Sequence, residues 1–91
     1  MINRNERDPN RINRILYLLQ VIWKLNPDMR FFQLVDSLQY KYSSENNNFG
    51  LRKGFELDSK ADRPMSYIDL YYLEDERLEE FLRDFIDKNE K

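Results

Sequence analysis

The stretch "DPNRINRILYLLQVIWKLNPDMRFFQLVDSLQYKY", residues 8 to 42, sets the fold class. Its apolar residues recur every three or four positions on both sides of Asn26-Pro27-Asp28, which is helical and not strand spacing. At about 100° per residue, Ile12, Ile15, Leu16, Leu19, Ile22 and Trp23 fall on one face of the first segment. Leu18, Val21 and Leu25 widen that face in its later turns. Asp8-Pro9 reads as a helix start, because the carboxylate can accept an orphan N–H and proline has none to satisfy. The spacing predicts a first helix over about 8–25. Pro27 cannot continue it, so Asn26 is expected to cap a second helix over about 27–42 with Pro27 in its first position. Phe31, Leu34, Val35, Leu38 and Tyr42 form the inner stripe of that helix, with Phe32 on its margin. Two amphipathic helices joined by so short a turn are expected to be antiparallel neighbours.

Residues 43 to 66 change character. "SSENNN" has a loop composition, and both glycines follow it in "FGLRKGFEL". There Phe49 and Leu51 answer Phe55 and Leu57 across Arg52-Lys53-Gly54, a small hairpin pattern with its turn at glycine. "SYIDLYYL" reads as a short strand or an irregular approach, with Asp69 arguing against a buried strand. A last helix is expected over about 74–87, with Leu78, Phe81, Leu82, Phe85 and Ile86 on one arc. The fold expected is mainly α: a single domain over 1–91, a three-helix up-down-up bundle with a long loop or small β-hairpin inserted before the last helix.

Charge is uneven along the chain. Residues 1–55 carry nine Lys/Arg and five Asp/Glu, residues 56–91 six and twelve, so a net charge of -2 conceals a basic start and an acidic end. In "IDLYYLEDERLEEF", residues 68 to 81, six carboxylates crowd fourteen positions. Glu74, Asp75 and Glu76 suit the first turn of a helix, where exposed N–H groups favour anions by about 0.3–1 kcal/mol each. Glu79 precedes Arg83 by four residues, and Asp84 precedes Lys88 by four, the better order for helix ion pairs. Arg11 and Arg14 stand instead at the start of the first helix, where the dipole opposes cations, and they share azimuth with Leu18 and Ile22. In an up-down-up bundle the first and last helices run parallel. A structural charge cluster of Arg11 and Arg14 with Glu74 and Asp75, closing one end of the core, is therefore expected.

With no cysteine and no histidine, thiolate sites, the common transition-metal ligands and the commonest general base are all missing. Ser43, Ser44, Ser59 and Ser66 have no histidine to activate them, and no glycine-rich phosphate loop occurs. No catalytic residue, metal site or cofactor is expected, and the chain reads as not an enzyme. Arg4, Arg7, Arg11, Arg14 and Arg52-Lys53 raise nucleic-acid binding as an alternative. It is the weaker expectation, because the second helix offers only Arg30 and Lys41 and the acidic end repels a duplex. Residues without an assured core place include Phe49, Phe55, Met65, Tyr67 and Tyr71, with Arg52 and Lys53 among them, and such residues are the kind interfaces prefer. They are the candidate partner-binding set of a protein-interaction module, a homodimer being one form it could take. The longest apolar run, "ILYLLQVIW", is far short of the roughly 20 residues of a membrane span, so no membrane is expected and the location expected is cytoplasmic.

The segment "RINRILYLLQVIWKLNPDMRFFQLVDSLQ", residues 11 to 39, is similar to the YihD-like family of small bacterial proteins of unknown function: a helix ending in Trp, a Pro-Asp turn, then a helix with Gln-Leu. It also looks like small phage and prophage proteins carrying "DPNRINRIL", "NPD" and a later "YYLEDERL". The resemblance implies a small cytoplasmic helical domain of uncharacterised role and brings no catalytic residues. A phage origin would suggest an inhibitor that binds a host defence protein.

Overall fold

The computed structural model describes residues 7–58 and 61–89, with the backbone alone for 54–58 and 61–65. Among these the order is α1 (Asn10–Leu25), α2 (Phe31–Glu45), β1 (Leu51–Asp58), β2 (Ala61–Ile68) and α3 (Asp75–Asn89). The chain is mainly α, with three helices among the described residues and a small antiparallel hairpin ahead of the last, as the sequence leads one to expect. It divides into two compact units, one made of the segments through Met29 and from Leu73, the other of Arg30–Tyr72.

In the first unit α1 packs on α3. Asp8 organises the start of α1: its Oδ1 accepts the Asn10 N–H at 3.0 Å and its carbonyl accepts that of Arg11 at 3.1 Å. At the start of α3 the Glu74 carbonyl accepts the N–H groups of Arg77 and Leu78, and Asp75 and Glu76 fill the first turn. The buried side chains are Leu18 and Ile22 of α1 and Phe81, Leu82 and Ile86 of α3, with Ile22 and Leu82 fully closed off. This corrects the face expected for α1. Ile12, Leu16 and Trp23 are exposed and Ile15 and Leu19 only half-buried, while the buried residues are Leu18 and Ile22, in line with half-buried Arg11. The ion pairs described below explain the rotation: Arg11 must face α3 to reach its carboxylate, and Leu18 and Ile22 turn inward with it.

The second unit begins later than the sequence suggested. Asn26 finishes α1 and does not start α2: its N–H reaches the Trp23 carbonyl at 2.9 Å and its side-chain amide the Ile22 carbonyl at 3.3 Å. Residues 27–30 form a turn, and α2 opens at Phe31, where Gln33 Oε1 accepts the Arg30 N–H at 2.8 Å. That is half of a capping box, since arginine has no acceptor with which to return the bond. Leu34, Leu38 and Tyr42 are buried as expected, whereas Phe31 is exposed. The helix then runs through Ser43-Ser44-Glu45, which the sequence reading gave to the loop, and Ser43 is itself buried.

Asparagines end each helix in one way. The side-chain amides of Asn26, Asn46 and Asn89 donate to the carbonyls of Ile22, Tyr42 and Phe85, four residues back in each case. At Asn26 and Asn46 the backbone N–H turns to the carbonyl three residues back, so the side-chain amide serves the carbonyl of the last turn that this leaves over. After α2, Asn47 and Asn48 take left-handed backbone angles, φ 58° and 63°, which asparagine tolerates better than most residues. Gly50 follows at φ 79°, and a Cβ there would lie 2.6 Å from the Asp69 carbonyl oxygen, so glycine is required twice over.

The Gly50 carbonyl accepts the Asp69 N–H at 2.8 Å and so fixes the hairpin register, Leu51 opposite Ile68 through Asp58 opposite Ala61. Arg52-Lys53-Gly54, expected as the turn, therefore lies inside β1. The turn itself, between Asp58 and Ala61, falls outside the described residues. "SYI" of the ambiguous approach segment closes β2, and Asp69 stands just beyond it. Tyr40 of α2 donates its hydroxyl to the Ser66 carbonyl of β2 at 3.3 Å.

Candidate functional site

The densest arrangement of ionisable groups lies along the α1–α3 seam, in an open groove of about 440 Å³. Arg7 Nη2 meets Glu74 Oε1 at 3.0 Å, Arg11 Nε meets Asp75 Oδ2 at 2.7 Å, and Arg14 Nε meets Glu79 Oε2 at 2.7 Å. The partners ascend together, so α1 and α3 run in the same direction. Arg83 adds its Nη2 to the same Glu79 oxygen at 2.6 Å, and Arg14 Nη1 also reaches Asp8 at 3.3 Å. Of the expected cluster of Arg11, Arg14, Glu74 and Asp75, the pair Arg11–Asp75 forms, and the rest is corrected: Arg14 reaches past Asp75 to Glu79, and Glu74 goes to Arg7.

Physically the ladder places charge where each helix tolerates it least and most. Arginines at the start of α1 oppose its dipole, while carboxylates at the start of α3 are favoured by theirs. Joining the two offsets the first at the expense of neither. Arg14, then Arg83, holds the Glu79 carboxyl below its ordinary range. The Asn10 N–H, then Arg14, does the same for Asp8. Glu79 and Asp8 in turn raise the Arg14 guanidinium. Carboxylates held in their ionised form by arginine are weak proton acceptors near neutrality. This geometry joins two helices. Among the described residues no group of three or more Asp/Glu is arranged to hold a metal ion.

The residues expected to meet a partner lie in the Arg30–Tyr72 unit. Phe49 is exposed and sets its ring edge-on to Tyr42, centroids 5.9 Å apart. Arg52 and Tyr67 sit opposite each other on the two strands, both exposed, with Arg52 Nε 3.8 Å from Asp69. Lys53 is exposed opposite Ser66. Phe55 and Met65 hold strand positions opposite Pro64 and Gly54, and their side chains fall outside the described residues. Tyr71 is 81% exposed and stacks edge-on to Tyr72, itself 77% exposed, at 4.9 Å.

Sequence reasoning missed Tyr72 and Phe32. Phe32, 79% exposed, was placed on the margin of a buried stripe. Its neighbour Phe31 sets its ring edge-on to it at 5.3 Å. For Phe31-Phe32 the available signal was the doublet itself: adjacent helical residues point about 100° apart, so the two rings could not both be buried on one narrow face, whereas Tyr71-Tyr72 lie in a turn before α3. Among the described residues no helix is long and apolar enough to cross a membrane. Comparisons with protein-family models, with curated proteins and with solved structures find no match for this chain.

Proposed function

We propose that this chain is a small, non-enzymatic, cytoplasmic protein-interaction module whose partner-binding surface lies on the Arg30–Tyr72 unit. One observation carries the reading: Phe32, Tyr71 and Tyr72 are each more than three-quarters exposed, at 79%, 81% and 77%. Large aromatic rings left in water are the residues that gain most on docking against a protein. The ion-pair ladder supports this choice over nucleic acid. Arg7, Arg11 and Arg14, the cations best placed to meet phosphates, are each already engaged by a carboxylate. The inhibitor of a host defence protein suggested by the resemblance of residues 11–39 would be one instance of the same function.

The test is capture on the immobilised chain from a lysate of the cells in which it occurs. One stoichiometric protein is expected, lost from the Tyr71→Ser/Tyr72→Ser variant and retained by Arg14→Gln. Salt-sensitive retention on duplex DNA or heparin, with no protein distinguishing the native chain from the tyrosine variant, would overturn the reading.

A further inference from the structure

The second apolar face of α1 has a geometry of its own. Ile12 and Leu16 are 50% and 59% exposed, Leu19 is half-buried, and Trp23 keeps 36% of its surface open while its indole N–H donates to the Met29 carbonyl. The four are spaced by four, three and four residues, the spacing of a helix-pairing seam. They lie about 100° around the helix from the Arg11–Leu18–Ile22 line that faces α3. Beside them stand Asn13 and Gln20 on one flank and Ile15 and Ile22 on the other, so the strip and its borders hold no charge.

We infer that this strip is a self-association surface, occupied by α1 of a second copy of the chain in antiparallel orientation. Three features single out that occupant. The four-three-four spacing reads the same in both directions. A twofold axis between residues 17 and 18 sets Ile12 of one copy against Trp23 of the other and Leu16 against Leu19, with Asn13 near Gln20. An uncharged strip meets no like-charge penalty against itself. Antiparallel packing also opposes the two helix dipoles and sends the Arg7–Arg11–Arg14 ends to opposite ends of the dimer, where a parallel pair would bring them together.

The strip is short. Eleven residue steps of helix span about 17 Å, and a contact of that length covers well under the roughly 800 Å² per partner of a standard interface. The dimer is therefore weak, with a dissociation constant on the order of 100 μM. This surface is separate from the aromatic one on Arg30–Tyr72, and the two readings stand or fall separately.

Sedimentation equilibrium from about 10 μM to 1 mM tests it, bracketing that constant. The native chain should pass from the monomer mass of 11.3 kDa toward twice that value. Leu16→Glu and Ile12→Glu should each weaken association more than about tenfold, with helical circular dichroism unchanged because both sites are exposed. Tyr17→Glu, an exposed change on another side of the helix, should leave association as it was. Orientation is read by cross-linking, since the chain has no cysteine of its own. A mixture of the Leu16→Cys and Leu19→Cys chains should give mainly the mixed disulfide. A monomer at every concentration, native-like association by both glutamate variants, or Leu16→Cys cross-linking chiefly to itself would overturn the proposal.

Discussion

Arg7, Arg11 and Arg14 in the α1–α3 unit each have a carboxylate within 3.0 Å, while in the Arg30–Tyr72 unit Arg52 stands 3.8 Å from Asp69 and Phe32, Tyr71 and Tyr72 are open to solvent. One unit has spent its strongest polar groups on holding two parallel helices in register. The other holds its elements with backbone bonds and a few buried residues, Leu34, Leu38 and Tyr42, and leaves aromatic surface over. Along the α1–α3 seam the charges are mutually satisfied and offer a partner little that is not already compensated, so what that unit leaves open is the uncharged strip of Ile12, Leu16 and Trp23. A region with exposed rings offers apolar area that only another surface can cover. The acidic stretch thus joins α1 to α3, and the proposed partner surface lies on the other unit, which holds α2 as well as the hairpin.

The largest expected effects come from core truncation, one in each unit. Leu82→Ala removes a fully buried side chain from the α1–α3 unit and should cost about 2–5 kcal/mol in urea unfolding. Leu34→Ala should cost a similar amount in the other unit. Hydrogen exchange would show whether each loss is confined to its own unit. Next comes Gly50→Ala, which forces a side chain into a left-handed backbone and against the Asp69 carbonyl. It should cost about 1–3 kcal/mol and weaken protection at the Asp69 N–H first. Equal protection there in native and variant chains would mean that Gly50 does not set the hairpin register.

Smaller effects belong to the ladder. A double-mutant cycle on Arg11→Ala and Asp75→Ala should give a favourable coupling of up to about 1 kcal/mol, since both side chains keep contact with water. The least effect is the acid response. Glu79 and Asp8 titrate lower in the folded chain than their ordinary values of 4.5 and 3.8. Their contribution is thus fully present above those values and lost as pH falls through the lowered ones. Thermal unfolding followed from pH 6 to pH 2 should show Glu79→Gln losing less stability than the native chain. Parallel curves would remove Glu79 from the ladder.

Helix periodicity made the three helices legible, because apolar spacing near 3.6 survives any tertiary context. It could not say which of two apolar faces of α1 turns inward, since Ile12-Leu16-Trp23 and Leu18-Ile22 both satisfy the pattern. The arginines sharing azimuth with Leu18 and Ile22 were the better guide, because a charged side chain fixes an azimuth only where a counter-ion waits. Asn26-Pro27 misled for a different reason. An asparagine can end a helix with its side-chain amide as readily as begin one with its side-chain oxygen, and the sequence alone does not choose. In the hairpin, Gly54 drew attention as the turn, whereas the glycine with a left-handed backbone is Gly50, at the entrance to β1. The exposed doublets were legible only in part. Tyr71 stood out as lacking a core place, while Phe32 was set on the margin of a stripe expected to be buried and Tyr72 was not singled out.

The pairing of the arginine-bearing start of α1 with the acidic start of α3 is tested by carbon-detected NMR titration of the side-chain carboxyls. Glu79 should titrate below 4.5 and move upward in the Arg14→Gln chain. A Glu79 that titrates at its ordinary value, and does not respond to loss of Arg14, would contradict the pairing and return the acidic stretch to the surface as a docking site.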